Sequence, residues 1–181
     1  NIDWSSLAVD PFPAASPAFD PNTGTQMYSS ATSADGAFGF GFQAGLLYKA
    51  TDNFNVGLSY SSKTDFEDYE YNSTYANPNL ANFGQARTMT FAMDAPAIYA
   101  GGIAYDSDKL VFTADAKYIT YGSTDGFELS GFDATGAVQG FGWEDIWVYA
   151  AGLELEATDN VFLRAGWNYS ENPIPDAMSL F

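Results

Sequence analysis

Asp115, Lys117, Glu154 and Arg164 are the charged side chains of this 181-residue chain best spaced to meet one another. Each lies in a segment where apolar and polar residues alternate, and the alternation puts all four on the polar side. If the chain reverses over Thr158 to Asn160, Glu154 faces Arg164 across a strand pair. Such an opposite-charge pair contributes about 0.2–1 kcal/mol. Asp115 and Lys117 are expected at a similar height on a nearby strand. Two chemistries fit: a polar relay in which Arg164 and Lys117 meet a ligand's carboxylate, or a salt network that stiffens a wall. A second acidic group, Asp65, Glu67, Asp68 and Glu70, has the alternation of a Ca²⁺ site, but a solvated strand end is the plainer reading and no metal is assigned. With no His and no Cys, Ser-His and Cys-His catalysis, disulfides and most zinc sites are excluded. No nucleophile is placed, so the chain is read as having no catalytic residue and no cofactor, and as not being an enzyme.

Composition narrows the surroundings. Six basic against 23 acidic residues leave a formal net charge of -17. That disfavours nucleic acid, because no basic patch displaces counterions from phosphates. It also disfavours peripheral binding to an anionic leaflet. Aromatics make up 17% of the chain and charged residues only 16%, where a soluble domain carries about a quarter charged. A membrane barrel needs such aromatics for its interfacial girdles and glycines for strand curvature. No apolar run approaches the roughly 18 residues of a membrane helix. The chain begins at Asn1 without a visible signal peptide, which reads as a processed or partial chain.

The elements that position the charges are strands. Three short turns centre on Asp52, Asp108 and Asp159, each flanked by alternating segments. Short turns at one end and long loops at the other are the pattern of an outer-membrane β-barrel. Phe38, Phe40, Phe42, Ala44, Leu46 and Tyr48 share one face of the first strand. Phe54, Val56, Leu58 and Tyr60 do so in the second, which is expected to run on to about Tyr71. Residues 72–85 read as an Asn- and Pro-rich loop. The third strand carries Met89, Phe91, Tyr99, Ile103 and Tyr105, with a bend or gap at Pro96, which cannot donate to a ladder. Leu110 to Tyr118, Trp147 to Leu155 and Val161 to Tyr169 complete six strands, and residues 131–141 read as a Gly-rich loop. The rival architecture is a soluble β-sandwich, whose outer face should carry more charge than these glycines and serines supply.

Several motifs carry a family resemblance. Gly41-Phe42-Gln43-Ala44-Gly45-Leu46-Leu47-Tyr48, the Thr-Asp-Asn turn and Val56-Gly57-Leu58-Ser59-Tyr60-Ser61-Ser62-Lys63 resemble a strand pair of the FadL/TodX outer-membrane transporters. Ala95-Pro96-Ala97-Ile98-Tyr99 is similar to their proline-interrupted strand, and Phe112 to Tyr118 follows in the same order. Trp143-Glu144-Asp145, Leu163-Arg164-Ala165-Gly166 and Asn172-Pro173-Ile174-Pro175-Asp176 match a tryptophan-acid-aspartate strand start, an LRAG strand and a Pro-x-Pro loop. The resemblance covers residues 37–176.

It implies an all-β fold: an antiparallel transmembrane β-barrel of about fourteen strands, plugged by an N-terminal hatch. Six strands are a fragment of that barrel, so missing segments or neighbouring chains are expected to close it. Residues 1–36 are then an irregular extracellular loop region, and residues 37–181 are barrel wall with long extracellular loops and short periplasmic turns. The implied function is passive uptake of long-chain fatty acids or other hydrophobic molecules across the Gram-negative outer membrane. The implied partners are a hydrophobic ligand, membrane lipid and lipopolysaccharide. The alternative is a structural barrel that anchors acidic loops for contact with other proteins or a surface layer. Trp4, Leu7, Phe12, Phe19, Tyr75, Leu80 and Phe83 could line an apolar groove for the incoming ligand, or merely pack the loops on one another. Lys117 and Arg164 are the cationic candidates for the ligand itself.

Overall fold

The computed structural model describes residues 36–74, 81–132 and 138–176. In chain order the strands are β1 (Gly39–Phe40), β2 (Gln43–Lys49), β3 (Phe54–Ser61), β4 (Asp65–Phe66), β5 (Tyr69–Thr74) and β6 (Ala86–Phe91). They continue with β7 (Ile98–Asp106), β8 (Leu110–Ile119), β9 (Ser130–Phe132), β10 (Val138–Phe141), β11 (Ile146–Thr158) and β12 (Val161–Ser170). Six of them form one antiparallel sheet in the order β12-β11-β8-β7-β3-β2. Across this sheet the six strands keep their chain order, with β4–β6 and β9–β10 intervening as excursions between members.

The three expected turns join β2 to β3, β7 to β8 and β11 to β12, all at the same edge of the sheet. Local hydrogen bonding explains their sequence. The Thr51 hydroxyl accepts the backbone N–H groups of Asn53 and Phe54 at 3.3 and 3.0 Å, a side-chain imitation of a backbone turn. The hairpins are also tied sideways: Asp106 N–H donates to the Asn53 carbonyl at 2.8 Å, and Glu156 N–H to the Lys109 carbonyl at 2.9 Å.

Register sorts the side chains into two faces. Ala44, Tyr60, Tyr99, Tyr118 and Trp147 stand in one row. Leu46, Leu58, Gly101, Ala116, Tyr149 and Tyr169 make the next row. Tyr105, Phe112 and Leu153 close the same face near the turns. Tyr60 meets Tyr99 at 4.8 Å between ring centroids, and Tyr118 meets Trp147 at 5.0 Å. The opposite face carries Gln43, Ser59, Gly102, Asp115, Lys117, Glu154, Arg164 and Asn168.

The long continuous strands expected beyond the sheet are divided. The first breaks at Gly41 and Phe42, and the second yields β3, β4 and β5. The third separates into β6 and β7 around Pro96, the expected gap. Two expected loops are shorter than read. β5 runs to Thr74, into the 72–85 loop, whose far bound agrees with the start of β6 at Ala86. β9 and β10 pair within the Gly-rich stretch. There Gly131 at φ 85° and Gly140 at φ 156° permit an irregular, bulged ladder that other residues resist.

Burial is confined to the loop end. Among the described residues the buried side chains are Tyr69, Phe91, Asp94, Ala97, Thr124, Phe127 and Ile146. The middle of the six-stranded sheet is one layer thick, so both of its faces are open.

Candidate functional site

The polar face holds two charged levels rather than one network. Glu154 and Arg164 are directly opposite on β11 and β12, and Arg164 Nε donates to Glu154 Oε2. The guanidinium carbon also lies 5.8 Å from the Phe162 ring centroid, within cation–π range. Glu154 is in register with Val111 of β8. Asp115 is four residues further along that strand and Lys117 six, which separates them from the pair by about 13 and about 20 Å at about 3.3 Å per residue. The expected similar height fails because antiparallel strands count in opposite directions from their turns. Among the described residues Asp115 and Lys117 have no ion-pair partner, and Lys117 is exposed.

The loop end is built differently. Tyr121, Phe127, Phe141 and Trp143 form a ring cluster with centroids 5.1–6.0 Å apart, and Phe91 joins through Phe141 at 6.3 Å. Gly126, at φ 84°, lets the chain pass under β6's exit: a Cβ there would stand 2.6 Å from the Ala92 carbonyl oxygen. Asp145 anchors the start of β11. Its two carboxylate oxygens accept the Tyr118 hydroxyl at 2.6 Å and the Gly122 N–H at 2.7 Å. Trp147 N–H donates to Glu171 Oε2 at 2.7 Å, and Glu144 N–H to the Pro173 carbonyl at 2.8 Å. The tryptophan-acid-aspartate strand start is thereby bonded to the Pro-x-Pro loop.

Beside this cluster Lys63 Nζ contacts Asp65 at 2.9 Å, Asp94 at 3.0 Å and Asp125 at 3.1 Å. Hydrogen bonding to Asp65 first, and then to Asp94 and Asp125, holds the ammonium above the ordinary lysine range despite partial burial. Its contribution is therefore complete below the free-lysine value of about 10.4 and is lost only as pH rises through the higher folded value.

Of the groove candidates, Trp4, Leu7, Phe12, Phe19, Tyr75 and Leu80 lie outside the described residues, and Phe83 is exposed in a turn. A shallow hollow of about 650 Å³ opens instead on the apolar face, over Gly101 and Ala116 between Tyr60, Tyr99, Tyr118 and Trp147. The acidic run is dispersed. Asp65 pairs with Lys63, Glu67 receives the Phe38 N–H at 3.4 Å, and Glu70 stands opposite Thr90. Among the described residues no cluster of three or more metal-ligating side chains forms. Sequence reasoning missed Lys63, Asp94 and Asp125 as a unit. The available signal was scarcity: Lys63 is one of six cations among 23 acids.

Three comparisons bear on this geometry. A search of the solved structures finds the CymD monoaromatic hydrocarbon channel, with TM-score 0.54 and 24% identity, covering 78% of this chain and 41% of that one. The P. putida toluene transporter TodX matches with TM-score 0.50 and 24% identity, covering 83% and 39%. At such identity these matches establish the fold, an antiparallel β-barrel wall that six strands leave unclosed. Outer membrane protein P1 of Haemophilus influenzae is 29% identical over 82 residues, 45% of this chain and 18% of that protein. The chain thus spans less than half the length of the proteins it matches. The model for the family described as "Outer membrane protein transport protein (OMPP1/FadL/TodX)" matches residues 13–179. That is most of the chain. It belongs to this family of Gram-negative outer-membrane transport proteins, not to an enzyme family.

Proposed function

We propose that this chain is part of the wall of a channel that takes up hydrophobic small molecules across the outer membrane, with long-chain fatty acids as the finer reading. Residues 1–36 and the long connections form extracellular loops, residues 37–181 form the wall with its loops and turns, and the Asp52, Asp108 and Asp159 turns face the periplasm. The remaining wall comes from other segments or neighbouring chains. Hydrophobic ligand is captured by the loops and their apolar residues, enters the lumen and leaves, with sideways exit at a strand bend. The aromatic row at the loop end borders lipopolysaccharide.

The observation that carries this reading is the two-faced, single-layer sheet: one side suits acyl chains, while the other carries polar and small residues. Lys117, exposed on the polar side and without an ion-pair partner among the described residues, supports a carboxylate-bearing ligand. A charge-assisted hydrogen bond is worth about 1.5–3 kcal/mol, so loss of that contact amounts to roughly a tenfold or larger weakening.

The test expresses the whole protein in cells lacking their own transporter and follows labelled oleate and labelled toluene. Oleate uptake that falls in Lys117→Met while toluene uptake holds supports the fatty-acid reading. Uptake of toluene alone replaces it with a neutral-hydrocarbon channel. Unchanged oleate uptake in a normally folded Arg164→Ala barrel leaves Arg164 as wall structure. Uptake of neither molecule favours the anchoring alternative, to which the net charge of -17 is the pointer.

A further inference from the structure

The wall is interrupted at one level. On the turn side of it, β3 and β7 pair from Phe54–Tyr105 up to Ser61–Ile98; on the loop side, β5 and β6 pair from Tyr69–Phe91 onward. Among the described residues the isolated Thr64–Ala95 bridge is the only backbone pairing of the two segments between these ladders. That bridge keeps the register of the first ladder, whereas Tyr69–Phe91 is displaced from it by one residue. By the same register Lys63 lies across from Pro96, which has no N–H to give. On the other flank the Gln43–Ser61 register slips by one before Phe40–Asp65. Both ladders therefore falter around Lys63.

We propose that Lys63 is the positioning residue that closes this interruption. Its ammonium reaches three successive chain segments through Asp65, Asp94 and Asp125. The Asp94 side chain is only 5% exposed. One of its oxygens accepts the Phe66 N–H at 2.8 Å and the other faces Lys63, while Asp94 N–H donates to the Asp125 carbonyl at 3.1 Å. Removing the cation leaves a buried carboxylate unpaired, which is strongly destabilising, whereas removing both charges is far less so. In the channel reading Lys63 thus sets the shape of the mouth, but the exchange measurement below stands without that reading.

The test is amide hydrogen exchange on the whole protein in bilayers. In Lys63→Met, exchange is expected to rise roughly tenfold or more in residues 62–67, 92–97 and 120–128, with Leu110–Ile119 and Ile146–Thr158 unchanged. Lys63→Arg keeps the charge and most of the protection. The double variant Lys63→Met with Asp94→Asn regains protection relative to Lys63→Met alone. Unchanged exchange in Lys63→Met, a rise spread equally over the wall, or a double variant as loose as the single one overturns the proposal. If Lys63→Met fails to insert, Asp125→Asn removes one half-exposed arm. A rise confined to residues 120–128 then supports the proposal, and no change there overturns it.

Discussion

The six-stranded wall and the loop-end cap are stabilised by opposite means. The wall has long, regular ladders, three turns bonded at one edge and no buried side chain in its middle. In the channel reading its apolar face is satisfied by lipid, so one face only has to be apolar and the other only polar or small. The cap has short, slipped ladders, a cluster of rings, a fully buried Thr124 and a cation shared by three carboxylates. Its side chains bury one another, so particular residues matter. In the channel reading one chain thus uses the bilayer as its core over one stretch and builds a small core of its own over the next.

The largest expected effect tests the two faces of the wall. Ala151 and Ala150 are adjacent on β11 but point to opposite sides, and Ala151 lies midway between Trp147 and Leu155. Ala151→Arg is expected to destabilise folding into lipid vesicles by about 2–4 kcal/mol, the figure for a cation at mid-bilayer on the lipid side, and Ala150→Arg by far less. Denaturant titration of the whole protein measures both, and equal losses would break the comparison.

Within the cap, Gly126→Ala forces a left-handed conformation and a contact 2.6 Å from the Ala92 carbonyl, for about 1–3 kcal/mol of strain. The expected signature is faster exchange around residues 120–128 with the wall unaffected. Loosening of β8 and β11 as well would show that cap and wall are one unit. Asp145→Ala removes the acceptor of Tyr118 and Gly122 and is expected to cost about 1–1.5 kcal/mol, read as altered Tyr118 environment and exchange at the start of β11.

The smallest effect belongs to Arg164→Ala. Its side chain is 70% exposed, so the Glu154 pair contributes at most about 1 kcal/mol after solvent screening. A loss several times larger in the same titration would mean that this part of the polar face is dry and packed.

Much of the wall was legible because period-two alternation and short turns are local. From Phe42 to Leu46 and from Val56 to Tyr60 each side chain's face follows from its neighbours alone, and the Glu154–Arg164 pairing follows from the short turn between them. The separation of Asp115 and Lys117 from that pair was not legible, because it depends on counting from two different turns across a third strand. The Lys63 cluster was illegible for a stronger reason. Asp94 and Asp125 are 31 and 62 residues away in the chain, and nothing in their surroundings marks them as partners. The Gly-rich stretch concealed a ladder because glycine backbone angles, not side-chain alternation, allow β9 and β10 to pair.

Local pattern was enough to mark these segments as strands with one apolar side and one polar or small side. Few charges and many rings favour lipid over a second sheet as the cover of the apolar side. Long-range packing set which acids surround Lys63, where the ladders slip and how the rings of the cap meet. Those features rest on long-range register, and register accumulates from every turn and bulge between the residues concerned.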